Sequence, residues 1–143
     1  MLDSRDVRVF PILLALGVSI AASCVRSTSA VPTEVIPGQS LQLRIGESAR
    51  VKGTSVVVRV AGANDSRCPS DVVCVWAGDA AVALDVSGAD GVGNRTDTLY
   101  LRRQPTGVTY GLYRVDLVDL QPYPVSTKPD AARVVTLRLS RAE

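Results

Sequence analysis

The chain has 143 residues, with 16 Lys or Arg against 14 Asp or Glu, and it contains no histidine. A net charge of +2, with the basic residues dispersed along the sequence, offers no track for a phosphate backbone and argues against a nucleic-acid partner. Without imidazole, nucleophile arrangements that depend on histidine are excluded, and zinc would find too few ligands.

The first segment reads as a bacterial export leader. Arg5 and Arg8 precede residues 9–22, which are apolar apart from Ser19 and broken only by Pro11 and Gly17. That length suits a signal-peptide core and falls short of a comfortable bilayer span. Asp3 and Asp6 dilute the positive start. An odd cysteine in an exported protein needs an assignment, and lipidation of Cys24 provides one. The run Ala21-Ala22-Ser23-Cys24 resembles the lipobox of bacterial lipoproteins, with Ala21 where that family prefers Leu. The competing reading is ordinary cleavage after Ala30, which would free a soluble periplasmic or secreted protein. Lipidation is favoured because it gives Cys24 a purpose and ties the protein to a membrane. Val25, rather than Asp, after the cysteine favours the outer membrane by resemblance to sorted lipoproteins.

The domain plan that follows is a signal peptide over 1–23, a flexible tether over 24–38 and one folded domain over 39–143. Residues 25–38 hold Ser, Thr and Pro without periodicity, as a tether would. From Gln39 onward, apolar residues recur with period two, the mark of half-buried strands. Leu41, Leu43 and Ile45 form the first such set, a short strand covers 49–52, and Val56, Val58 and Val60 form the next. Val82, Leu84 and Val86 follow, then Leu99 and Leu101, then Tyr113, Val115 and Leu117, and last Val135, Leu137 and Leu139. The alternation slips by one residue near Val118, which predicts a bulge. Turn-rich segments at 88–94, 105–111 and 121–129 separate the runs. About seven short strands predict an all-β fold, a single antiparallel β-sandwich or a small barrel. Leu43, Val58, Leu84, Leu99, Val115 and Leu137 are its expected core, with Arg44, Arg59, Asp85 and Arg138 on the opposite face.

Residues 64–80 break this regularity. Once Cys24 is assigned, Cys68 and Cys74 are left to form a disulfide in an oxidising compartment. Closing so short a loop stabilises by about 2–3 kcal/mol in the chain-entropy model, and Pro69 stiffens it further. Reactive cysteine pairs are usually spaced two apart beside a helix N-terminus, so this spacing in an all-β context suits a structural bond. Trp76, the sole tryptophan, is expected to reach the core or cover the disulfide. Asp65-Ser66-Arg67-Cys68-Pro69 and Cys74-Val75-Trp76-Ala77-Gly78 resemble a segment of a family of small, functionally uncharacterised bacterial exported proteins and lipoproteins. That resemblance implies a location and a fold and brings no catalytic residues.

Asn64, Asp65, Asp71 and Asp79 gather around the disulfide, which makes Asp65, Asp71 and Asp79 a candidate calcium set. The competing reading gives Asp65 to amides of its own turn or to Arg67. Carboxylate pairs such as Asp116 with Asp119, or Asp65 with Asp79, are arithmetically available for acid–base chemistry. Asp116, however, falls on the polar side of a strand, and neither lysine, Lys52 nor Lys128, lies in the motif. The expectation is therefore a non-enzymatic, cofactor-free binding or scaffold module of the cell envelope with a possible protein partner. Pro69, Ser70, Asp71, Val72 and Val73 are its possible recognition loop, unless that loop plugs one end of the domain. The alternative function is inhibition of an envelope-active hydrolase by the stapled loop, which a rigid insert would do at low entropic cost. Exposure of Pro69 to Val73 separates recognition from plugging.

Overall fold

Alternating apolar residues give each strand one wet and one dry face, and two such sheets bury their dry faces against each other. The computed structural model of the protein describes residues 31–88, 93–129 and 131–143. One sheet holds β1 (Thr33–Val35), β3 (Ser48–Val51), β4 (Val57–Asp65), β5 (Ala80–Ser87) and β6 (Arg95–Tyr100), in that spatial order. The other holds β2 (Ser40–Arg44), β9 (Val134–Arg141), β8 (Tyr113–Gln121) and β7 (Gly107–Tyr110). Neither sheet closes on itself, so the fold is a sandwich and not a barrel. The signal peptide, the lipidation site Cys24 and the alternative cleavage site Ala30 lie outside the described residues.

All six expected core residues are buried: Val58, Leu84 and Leu99 on one sheet meet Leu43, Val115 and Leu137 on the other. Of the opposite set, Arg44, Arg59 and Arg138 are exposed and Asp85 is half-buried, accepting from Thr96 and Arg59 on the outer face. Space between the sheets beside Val35, Leu41, Ala49 and Val58 amounts to about 10 Å³, the lower limit for a single water. Tyr110, at the free edge of one sheet, donates to Asp97 of the other sheet at 2.9 Å. That bond ties the two edges together.

Two strands escaped the sequence reading. β7 falls in the segment expected to be a turn, where Gly107 and Thr109 obscure the alternation. β1 corrects the expected tether, which extended to Gly38: Thr33–Val35 pairs with β3, and it does so in parallel. A three-residue strand is too short to show a period, and only Val35 in it is buried.

Two bulges re-phase the strands. In β8 the register shifts between Leu117 and Asp119, leaving Val118 exposed and turning Leu120 inward, as the slip in the sequence predicts. In β4 a second shift lies between Val60 and Gly62. Without it Gly62 and Asn64 would share the buried face of Val60; with it, Ala63 and Asp65 do. Small residues on both sides of Ala61 hide this shift from any apolar–polar contrast.

Truncating Leu84 or Leu99 to Ala should lower stability by about 2–5 kcal/mol, because each leaves a cavity in a close-packed interior. Arg44→Ala and Arg138→Ala should stay within about 0.5 kcal/mol. Urea denaturation of the four variants measures the difference, and equal losses in the two sets would contradict the register.

Candidate functional site

The β4–β5 hairpin does not end where its strands do. Ser66 N–H donates to Asp79 O at 2.9 Å and Cys68 N–H to Ala77 O at 3.0 Å, so the ladder continues for two more rungs. Beyond the second rung the chain closes on itself through the Cys68–Cys74 disulfide, with Cα atoms 5.8 Å apart, a normal spacing. Gly78 makes this approach possible. It has φ of +64°, and a Cβ there would lie on the backbone of Ser66.

Parity set by the β4 bulge carries Asp65 and then Arg67 to the inner side of the hairpin. Their side chains are 3% and 4% exposed. Arg67 donates Nε–H to Asp65 Oδ1 at 2.8 Å and Nη2–H to Oδ2 at 2.7 Å, a two-pronged pair. The same Nη2 donates to Leu120 O at 2.7 Å, just past the β8 bulge. Arg133 reaches Asp65 Oδ2 at 3.0 Å and donates to Pro122 O at 2.8 Å. The Arg67 guanidinium lies 4.5 Å from the Tyr123 ring centroid, on the same loop. Burial alone would push the Asp65 carboxyl up. The bonds from the Arg67 side chain and backbone, with the charges of Arg67 and Arg133, hold it below the usual carboxylate range.

The loop over 122–133, between β8 and β9, is thus bound to the base of the hairpin. Two further bonds extend the seam outward: Ser70 N–H donates to Pro124 O at 3.0 Å, and Asp71 accepts from Ser126 N–H at 2.8 Å and Ser126 Oγ–H at 2.5 Å. Asp79 is engaged on the other side, where its carboxylate accepts from the backbone N–H groups of Ala80, Arg102 and Arg103. The calcium reading is therefore corrected. Asp65, Asp71 and Asp79 turn to three different sets of protein donors, and among the described residues no group of side chains converges to hold a metal. Asp65 and Asp79 likewise form no catalytic pair, and Asp116 is ion-paired with Arg114 at 2.8 Å.

While the base of the loop is fixed, its tip is bare. Ser70, Asp71 and Val72 are exposed, Val73 fully so, and Pro69 is half-buried. Val75 is 90% and Trp76 82% exposed. The expectation that Trp76 reaches the core or covers the disulfide is wrong: Trp76 and Cys74 are both exposed, the core end of the hairpin is already filled by Asp65 and Arg67, and the disulfide holds the tip beyond it. Nor does the loop plug the domain, since its residues from Ser70 onward face solvent. Sequence reading placed the disulfide and the Asp65–Arg67 pair but missed Val75 and Trp76 as surface, and Arg133, Tyr123 and Ser126 as partners. The inward parity of Asp65 and Arg67 would have announced a buried pair had the β4 bulge been readable. Comparison with family models, with curated proteins and with solved structures finds no match to this chain.

Asp65→Asn should destabilise by about 3–5 kcal/mol, since it leaves buried guanidinium groups without their counter-charge. The folded-state carboxyl titrates below its unfolded value of about 3.9, so the pair stabilises fully above about pH 4 and loses that contribution as pH falls towards the folded value. Urea midpoints at pH 7 and pH 3 should therefore differ less in Asp65→Asn than in the parent protein. Cys68→Ser and Cys74→Ser should each lower stability by about 2–5 kcal/mol, while thiol titration of the unfolded, oxidised parent should find both cysteines blocked.

Proposed function

We propose that this protein is a lipid-anchored, non-catalytic binding module of the bacterial cell envelope whose docking surface is the tip of the stapled β4–β5 loop. One observation carries the reading: Val73, Val75 and Trp76 stand in water on a loop whose base is held by a disulfide and a buried ion-pair network. Contiguous exposed apolar side chains mark surfaces that meet a partner. A preorganised loop loses little conformational freedom when it does so. The likeness of residues 65–78 to exported proteins, and the single cysteine closing the leader, support the location.

Inhibition of an envelope-active hydrolase is the second reading, supported by the same projecting, stapled shape, which fits insertion into a cleft. Assays of envelope hydrolases with the purified protein separate the two: a stoichiometric loss of hydrolase activity, relieved by Trp76→Ala, would replace binding with inhibition. For the anchor, membrane fractionation should find the protein in the outer-membrane fraction, and Cys24→Ser should abolish its lipid modification. A mature N-terminus at Val31, read by mass spectrometry, would replace the anchored form with the soluble, exported one.

A further inference from the structure

The register of β1 fixes the direction from which the chain enters the domain. β1 runs parallel to β3, β3 runs antiparallel to β4, and β4 runs towards the stapled loop. The chain therefore arrives at Thr33 from the end of the sandwich where Trp76 projects. Thr33 is level with Ala49 and, through it, with Val58. Along β5, which carries no bulge, the level of Val58 lies six residues from that of Asp65, from Val86 to Ala80, about 20 Å of strand, and the rungs out to Ala77 add about 10 Å. The nine residues from Cys24 to Thr33 can span about 30 Å when extended. Fully extended, the tether thus brings Cys24 level with the rung that Cys68 and Ala77 form, immediately behind Trp76, so that the tip lies slightly deeper than the lipid attachment point.

The tip has the chemistry for that depth. Between Cys68 and Ala77 the only charged side chain is Asp71, and it is turned back onto Ser126. What remains forward is Val72, Val73, Val75 and Trp76. Tryptophan is at home at the level of lipid headgroups, where its ring is shielded and its N–H stays wet.

We propose that Val72, Val73, Val75 and Trp76 seat in the headgroup–acyl boundary of the bilayer that the Cys24 lipid enters, so that the domain is held against the membrane at two points. The proposal rests on the reading of Cys24 as the anchor. Because the anchor keeps the loop within reach of the surface, even weak partition of the tip is enough to hold it there. The carboxylates and guanidiniums behind the tip stay occupied with one another and do not have to be desolvated by the lipid.

Trp76 is the only tryptophan, so its fluorescence reports the tip alone. The mature protein, purified from bacteria that express the full chain and reconstituted with phosphatidylethanolamine–phosphatidylglycerol vesicles, should float with them. Its emission should move to shorter wavelength, lose its quenching by acrylamide and gain quenching by lipids brominated near the headgroup. Val73→Glu with Val75→Glu should float equally and keep the parent urea midpoint, yet restore acrylamide quenching. Flotation with Trp76 still fully quenched by acrylamide would overturn the proposal while leaving the anchor intact. Failure to float would overturn the anchor and the proposal with it. Shielding of Trp76 that requires solubilised envelope protein and not lipid alone would give the tip a protein partner and overturn membrane seating.

Discussion

A carboxylate shut away from water has to be answered by donors and positive charge within a few ångströms, and the end of this sandwich is organised around that demand. Asp65 receives two guanidinium groups, one from its own hairpin and one from the loop before β9. Asp65 and Arg67 face one another on the inner side only through a specific distortion of the sheet. The β4 bulge turns Asp65 and Arg67 inward, and the Leu120 carbonyl that Arg67 meets lies just past the β8 bulge. Gly78 lets the return strand pass the Ser66 backbone closely enough to keep the hairpin paired. Remove the ion pair and these irregularities have no common purpose.

The network also sets a division within the stapled loop. On one side, backbone and polar side chains are matched to the neighbouring loop, through Ser70 with Pro124 and Asp71 with Ser126. On the other, apolar side chains face water. An unrestrained loop bearing three valines and a tryptophan would fold back over its own base and hide them, since burying each is favourable by about 1.5–3 kcal/mol. The disulfide and Pro69 limit that collapse, and the space behind the tip is already taken by charged groups. Exposure of the tip is therefore a consequence of construction, not of its composition.

How far the sequence discloses this depends on contrast between neighbours. Strands such as β5, with Val82, Leu84 and Val86 set against Ala83 and Asp85, are plain because polarity or size changes at every step. The β8 bulge is plain for the same reason, as Leu117, Val118 and Leu120 break a strong pattern. The β4 bulge is not, because Val60-Ala61-Gly62-Ala63 offers nothing to count, and with it goes the direction in which Asp65 and Arg67 face. β1 is legible only through its partner β3, far along the chain. The position of Trp76 was the hardest to foresee. Its spacing from Cys74 is compatible with either face, and what fills the interior end of the hairpin in its place is the Asp65–Arg67 pair, whose inward facing depends on the β4 bulge.

Since Val73, Val75 and Trp76 touch water and not the core, their identities are almost free of the fold's requirements. The scaffold asks for two cysteines, a proline, Asp71 on Ser126, the Asp65–Arg67–Arg133 cluster and a glycine at 78, and leaves Val73, Val75 and Trp76 open to change. Such a site can be rewritten by point substitution without re-engineering the domain. The hairpin tip is thus a natural position for grafting foreign recognition sequences onto a small, histidine-free β-sandwich.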